Sequence, residues 1–107
     1  MKRDYKIDVY DARLRIANDK KSAYCEDNEN DSPCCSIYGH NKKWWVVIYL
    51  PDTCLRKACH ESVHGAASLL DTIGLDISAK DQEALAWLTD YIFSKCQDFI
   101  ARLPSEK

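Results

Sequence analysis

The N-terminal part of the chain alternates between apolar and polar residues, which is the pattern of a β-strand with one buried face. Apolar residues at positions 7, 9, 12, 14 and 16 follow this alternation, with a slip of phase near Tyr10 and Asp11. A β-bulge adds one residue to a strand and produces such a slip. The pattern therefore predicts one long strand with a bulge.

Two more strands are predicted in the middle of the chain. Residues 35–38 and 44–50 are rich in β-branched and aromatic side chains, and the second run is too short for a typical helix. Residues 39–43, between them, contain the glycine and asparagine that favour tight turns. We therefore predict a β-hairpin, which ends at Pro51.

Apolar residues then recur at spacings of three and four, which predicts an amphipathic helix over residues 53–73. Asp52 or Thr53 can cap its start, and Gly74 can end it. A second helix is predicted over residues 79–103, opened by a capping-box pattern at residues 78–81. The predicted fold class is α+β, with a small, mainly antiparallel sheet packed against two helices, in a single domain of residues 1–107.

The first helix carries two histidines four residues apart, His60 and His64, with Glu61 between them. A helix turns about 100° per residue, so the two imidazoles lie on one face, roughly 6 Å apart along the axis. They can bind one metal ion together. Glu61 is offset from them, so its carboxylate can act as a general base toward a water on that metal.

A catalytic zinc usually has three protein ligands and a water, so a third ligand must come from elsewhere. Glu83 stands in the first turn of the second predicted helix. An antiparallel return of the chain would bring it back over the histidines, with the metal between the helices and the sheet. The alternative role of Glu83 is a favourable interaction with the helix dipole, and Asp81 is a rival ligand that fits better as the helix cap.

The set His60, Glu61 and His64, followed by Glu83 on the next helix, resembles the gluzincin zinc metallopeptidases, in which a downstream helix donates a glutamate ligand. The resemblance extends from residue 44 to about residue 93. The local sequences at residues 60–67 and 83–88 are also similar to small HExxH proteins encoded by tailed phages and prophages. Larger gluzincins carry an extra lobe for which 107 residues leave little room, so their substrate specificity is not transferable.

The resemblance implies a zinc-dependent hydrolase, a minimal metallopeptidase that cleaves a peptide or amide bond. Zinc bound by His60, His64 and Glu83 would lower the pKa of its water toward ~7, and Glu61 would move the proton. In gluzincin-like sites a strand beside the metal helix pairs with the substrate backbone, and residues 44–50 are the candidate. The alternative is a non-catalytic zinc protein of phage type that binds and modulates a host protein; a fold factor without metal is a third possibility.

Four further residues are candidates for supporting roles. Asp71 and Asp90 lie on helix faces from which they could orient a metal ligand, although acidic residues at such positions are more often simply solvated. Tyr91 and His40 could each stabilise an oxyanion, or serve only in packing and in the turn.

Composition and charge restrict the partners. A hydrophobic content of 46% favours a folded core, and the net charge of −2 gives no electrostatic reason to expect nucleic acid. No apolar run reaches the ~20 residues of a membrane span, and the first residues lack the apolar segment of a signal peptide. We therefore expect a protein of the cytoplasm, or of the host cytoplasm if phage-encoded, with a protein or peptide as its partner.

The chain has six cysteines and no CxxC pair. Free thiols are the leading expectation in a reducing compartment, ahead of disulfides. A second, structural zinc bound by Cys25, Cys34, Cys35 and His40 stays open, although the spacing matches no standard zinc motif.

Overall fold

The fold consists of a four-stranded sheet and two helices, in a computed structural model that describes residues 1–75 and 82–104. The strands are β1 (Lys2–Ile7), β2 (Ala12–Ala17), β3 (Cys34–His40) and β4 (Lys43–Tyr49), and the helices are α1 (Leu55–Thr72) and α2 (Gln82–Ala101). The order in the sheet is β1-β2-β4-β3, with β2 and β4 parallel and the other neighbours antiparallel. The predicted α+β class is confirmed.

The prediction of one bulged strand at the N-terminus is wrong. A single 3-10 turn, Asp8–Tyr10, reverses the chain between β1 and β2, and Asp11 adopts a left-handed conformation with φ 48°. The two strands then pair antiparallel from Ile7 opposite Ala12 to Lys2 opposite Ala17. The slip of phase in the sequence marks this turn, which contains no glycine or proline to signal it.

The hairpin of β3 and β4 is confirmed. Its two-residue turn is formed by Asn41 and Lys42, both with positive φ (53° and 64°), as a type I′ turn requires. β4 is hydrogen-bonded on both sides, to β2 and to β3, whereas β3 lies at the edge of the sheet. The prediction that residues 44–50 pair with a substrate backbone is therefore wrong, because β2 and β3 already occupy both edges of β4.

The core lies between one face of the sheet and the two helices. Strand residues that face the helices, such as Leu14, Ile16, Val46 and Ile48, are fully buried, as are Leu88, Ile92, Cys96 and Phe99 of α2. α1 packs against β3 and β4 and against α2. No helix in residues 1–75 or 82–104 is both long enough and apolar enough to cross a membrane.

The boundaries of α1 lie close to the predicted ones. Its N-cap is Cys54 rather than Asp52 or Thr53, and Asp52 instead accepts a hydrogen bond from the Cys54 N–H at 3.0 Å. Gly74, at φ 86°, ends the helix as predicted, and the Leu75 N–H returns to the Leu70 carbonyl at 2.9 Å. α2 ends at Ala101, two residues before the predicted end; the capping box at residues 78–81 lies outside the described residues.

Candidate functional site

His60 and His64 lie side by side on the exposed surface of α1. Their Nε2 atoms are 3.1 Å apart, and their rings stand 72° apart with centroids at 4.7 Å. The side chain of His60 is 67% exposed. The helical spacing therefore produces the pair that the sequence predicted, with the two Nε2 atoms next to each other.

The geometry of the pair fits a shared metal ion. Two imidazole ligands at zinc–nitrogen distances of about 2.0–2.1 Å and a tetrahedral angle have their nitrogens about 3.3 Å apart. The separation of 3.1 Å is close to that value. Without a metal, the same separation is a hydrogen bond in which one ring donates its Nε2–H to the unprotonated Nε2 of the other.

Glu61 is mostly buried, unlike the two histidines. Its side chain is only 11% exposed, and its Oε2 lies 4.0 Å from His60 Nε2. On the sheet side its charge acts on the Cys35 thiol, which faces the helices. Burial raises the pKa of the Cys35 thiol to about 12, with the nearby charge of Glu61 as the next contribution. Glu61 thus stands between the histidines and the start of β3, within reach of a small molecule bound at the pair.

The tight contact between α1 and the sheet depends on Gly65. A Cβ atom at this position would lie 3.0 Å from Val46 Cγ1, 3.4 Å from Cys35 Sγ and 3.6 Å from Ile92 Cδ1. A carbon–carbon contact is most favourable at about 3.5–4.0 Å, so a side chain here would push the helix from the strand. Gly65 therefore sets how closely Glu61 approaches β3.

A cavity of about 360 Å³ opens beside Glu61. Its other lining residues are Ser32, Pro33, Arg56, Lys57 and His60. Arg56 and Lys57 lie one helical turn before the motif, and that spacing alone could have identified them as neighbours of the site. Sequence reasoning missed Ser32 and Pro33, because only the fold brings the segment before β3 next to α1.

Glu83 does not join the histidines in the structure. Ser62 Oγ contacts Cys96 Sγ at 3.7 Å, which sets the register of the antiparallel helices. Glu83 precedes Cys96 by thirteen residues, which places it about 16 Å along the axes from the level of His64. Within residues 1–75 and 82–104, no three His, Cys, Asp or Glu side chains are grouped closely enough to share a metal ion. The role of Glu83 as third ligand stays a prediction.

The four supporting candidates also lie apart from the pair. Asp71 is exposed two turns further along α1, and Asp90 lines a groove between the helices with Cys59 and Val63. The Tyr91 hydroxyl donates to the Lys6 carbonyl, and its ring stacks on Trp87 with centroids 5.6 Å apart.

His40 stands at the opposite end of β3 from the cavity, about 20 Å from Cys34 at the rise of a strand. The structure therefore brings no oxyanion donor from Tyr91 or His40 to the histidines.

All six cysteines are unpaired in the structure. Cys34 and Cys35 are adjacent in β3 and so point to opposite faces of the sheet, Cys34 toward Cys25 and Cys35 toward the helices. This alternation separates Cys35 from Cys25, so the structure does not assemble the second zinc site considered from the sequence.

Comparisons of this chain with family models, with curated proteins and with solved structures found no match.

Proposed function

We propose that the protein is a minimal zinc-dependent hydrolase that cleaves a peptide or related amide bond. The observation that carries the proposal is the pair of Nε2 atoms 3.1 Å apart beside a mostly buried glutamate. Two convergent imidazoles suit a metal, and a neighbouring carboxylate that stays out of the first coordination shell suits a general base.

The metal-binding and proton-transfer roles would belong to different residues. His60 and His64 would hold the ion through Nε2, and Glu83 is the third ligand that the gluzincin resemblance implies. Bound zinc supplies Lewis acidity, which lowers the pKa of a water toward ~7. Glu61 would accept a proton from that water while the water oxygen forms a bond to the amide carbon. The same carboxyl would then donate the proton to the leaving nitrogen as the carbon–nitrogen bond breaks.

The surroundings of the pair support an extended peptide as the substrate. β3 is the edge strand that starts beside the cavity, and a free strand edge can pair with a peptide backbone. Arg56 places positive charge at the cavity, which favours an acidic group on the substrate, whereas the Lys57 ammonium is paired with Asp52 at 3.2 Å.

A second candidate function is a zinc-binding protein without turnover that binds a host protein. It is favoured by the modest cavity beside Glu61 and by a larger, mainly apolar groove of about 540 Å³ between the two helices, which Cys59, Val63 and Phe93 line. The intact Glu61 favours hydrolysis instead, because a purely structural site needs no general base.

Two measurements test the proposed zinc site. Purified protein should contain about one zinc per chain by elemental analysis, and His60→Ala or His64→Ala should lose most of it. Glu83→Ala should weaken zinc binding, whereas Asp81→Ala should cost mainly about 1 kcal/mol of helix capping. Zinc affinity unchanged in Glu83→Ala would remove that residue from the ligands, and failure of the wild type to take up zinc would refute the proposal.

Glu61→Gln separates the two functions. As a general base rather than a ligand, Glu61 can be replaced with zinc content and melting temperature retained, while cleavage of a peptide library falls by at least ~10². A protein that only binds a partner would keep its effect in the host with this substitution. An unchanged phenotype with zinc still bound would replace the hydrolase with the binding function.

A further inference from the structure

On the outer face of the sheet, which points away from the helices, most charged strand residues are basic. The strand register identifies its residues, because side chains alternate between the two faces. The charged strand residues on this face are Lys2, Lys6, Arg13, Arg15 and Lys43 against the single acid Asp4. The segment that follows β2, residues 18–33, carries five acidic residues and two lysines, so the positive charge belongs to the strand residues and not to the whole layer.

The segment after β2 covers only half of this face. Ala23 packs there on Ala17, Val47 and Tyr49, which are all buried. The other half, toward the β3–β4 turn, presents Lys6, Arg13, Trp45 and Tyr38 in neighbouring strands. This uncovered part is the basic aromatic face of the sheet.

The side chain of Arg15 is held in one position beneath the basic aromatic face. Its guanidinium makes two hydrogen bonds to Asp4, at 2.8 and 3.1 Å, and a third to the Tyr24 hydroxyl at 2.8 Å. It also lies 5.4 Å from the ring centroids of both Tyr24 and Trp45. The Tyr38 hydroxyl donates to the Tyr24 carbonyl at 3.2 Å. The aromatic rings are therefore held in place before any ligand arrives, which lowers the entropic cost of binding.

These rings border a cavity of about 210 Å³. It is lined by Arg15, Tyr24, Tyr38, His40, Asn41 and Trp45. Its walls thus combine π surfaces with an amide, an imidazole and a guanidinium. A planar heteroaromatic ring suits such walls, because it can stack on the aromatics and exchange hydrogen bonds at its edge.

Positive charge flanks the cavity. Lys43 is neutralised by Asp11, whereas Lys6, Arg13 and Lys42 form no salt bridge within residues 1–75 and 82–104. Lys6 and Arg13 are directly opposite each other across β1 and β2. Arg13 is in turn opposite Trp45. A row of cations thus leads from the strand edge to the aromatic cavity.

We propose that the basic aromatic face binds single-stranded nucleic acid, with one base in the cavity and the phosphates along Lys6, Arg13 and Lys42. Stacking needs an unpaired base, which favours a single strand over a duplex, and the row of cations suits a phosphate backbone. The net charge of the chain favours no such partner, but net charge averages over faces and does not exclude a local basic surface.

Fluorescence anisotropy of a labelled single-stranded DNA of about 12 nucleotides, titrated with the full chain, tests the proposal. We expect saturable binding that weakens as salt rises from about 0.05 to 0.2 M. Lys6→Gln with Arg13→Gln should lower the magnitude of the salt slope by about 1.4, at roughly 0.7 per phosphate contact on a single strand. The matched control is Lys95→Gln with Arg102→Gln on α2, which removes the same charge from the other layer and should leave the slope unchanged.

A second arm tests the cavity. Trp45→Leu should weaken binding about tenfold, and an abasic deoxyribose-phosphate chain of equal length should bind the wild type as weakly. In the wild type, ¹H–¹⁵N spectra should shift at the Trp45 indole and along β2 and β4 on adding the oligonucleotide, which needs no variant to fold. The proposal would be overturned if the protein bound no oligonucleotide, or if it bound the abasic chain, a duplex or poly-glutamate equally well. It would also be overturned by an equal loss of binding in the α2 control, or by spectral shifts confined to the helices.

Discussion

The contact of Gly65 with Val46 is open to a quantitative test, the double-mutant cycle of Gly65→Ala and Val46→Ala. A Cβ at Gly65 lies 3.0 Å from Val46 Cγ1, which is fully buried. Overpacking of this kind costs about 1–3 kcal/mol, and the better helix propensity of alanine offsets about 1 kcal/mol of it. Gly65→Ala should therefore lower the free energy of unfolding by about 1 kcal/mol. At a solvent-exposed helix position the same substitution would instead raise the free energy of unfolding.

Val46→Ala alone removes two buried methyl groups and leaves a cavity, so it should cost about 2–3 kcal/mol. Together the two changes should cost less than the sum of the two single costs. Loss of Val46 Cγ1 removes the clash, and the new methyl at position 65 fills part of the space. We expect a coupling energy of about 2 kcal/mol, opposite in sign to the single effects.

The assay is urea unfolding followed by circular dichroism, with the slope m compared among the four proteins to confirm a common unfolding transition. Ser68→Ala, at an exposed position of α1, serves as a control for helix propensity alone. Additivity within about 0.5 kcal/mol, or a gain for Gly65→Ala as large as at Ser68, would refute the close approach of α1 to β4.

Three further outcomes follow from contacts described above. Asp52→Ala should cost about 0.5–1 kcal/mol at neutral pH, the usual net contribution of one hydrogen bond. The Cys54 N–H lowers the pKa of Asp52 below 3.8, so chemical unfolding should show this difference above that pH and lose it as the pH falls through the lowered pKa. Iodoacetamide at about pH 8 should modify the exposed Cys59 but spare Cys96, whose pKa burial raises to about 11, and equal labelling in peptide maps would contradict this. Phe99→Ala should lower the free energy of unfolding by about 3–5 kcal/mol, and a loss under about 1 kcal/mol would show that Phe99 is not in the core.

Elements with strong local signals could be predicted from the sequence. The β3–β4 hairpin and α1 with its end at Gly74 follow from turn chemistry and periodicity within a few residues of each boundary. The His60–His64 pair follows from helix geometry alone, because four residues always return to the same face.

What the sequence could not supply is long-range placement. The reversal before β2 has no glycine or proline, so its turn was indistinguishable from a bulge. The position of β4 between β2 and β3 depends on which strands meet, and no local pattern encodes that choice. The distance of Glu83 from the histidines depends on helix register, which the contact of Ser62 with Cys96 determines.

The parallel pairing of β2 with β4 has a consequence for the rate of folding. Each antiparallel pair is a hairpin closed by a short turn, whereas Ala17 pairs with Tyr49 across a long intervening segment. Hairpins form within about 1–10 μs, but joining distant segments first requires closure of a large loop. We therefore expect the docking of the two preformed hairpins to limit the folding rate. Truncation of Ile16 or Ile48, on either side of that junction, should slow refolding more than it speeds unfolding.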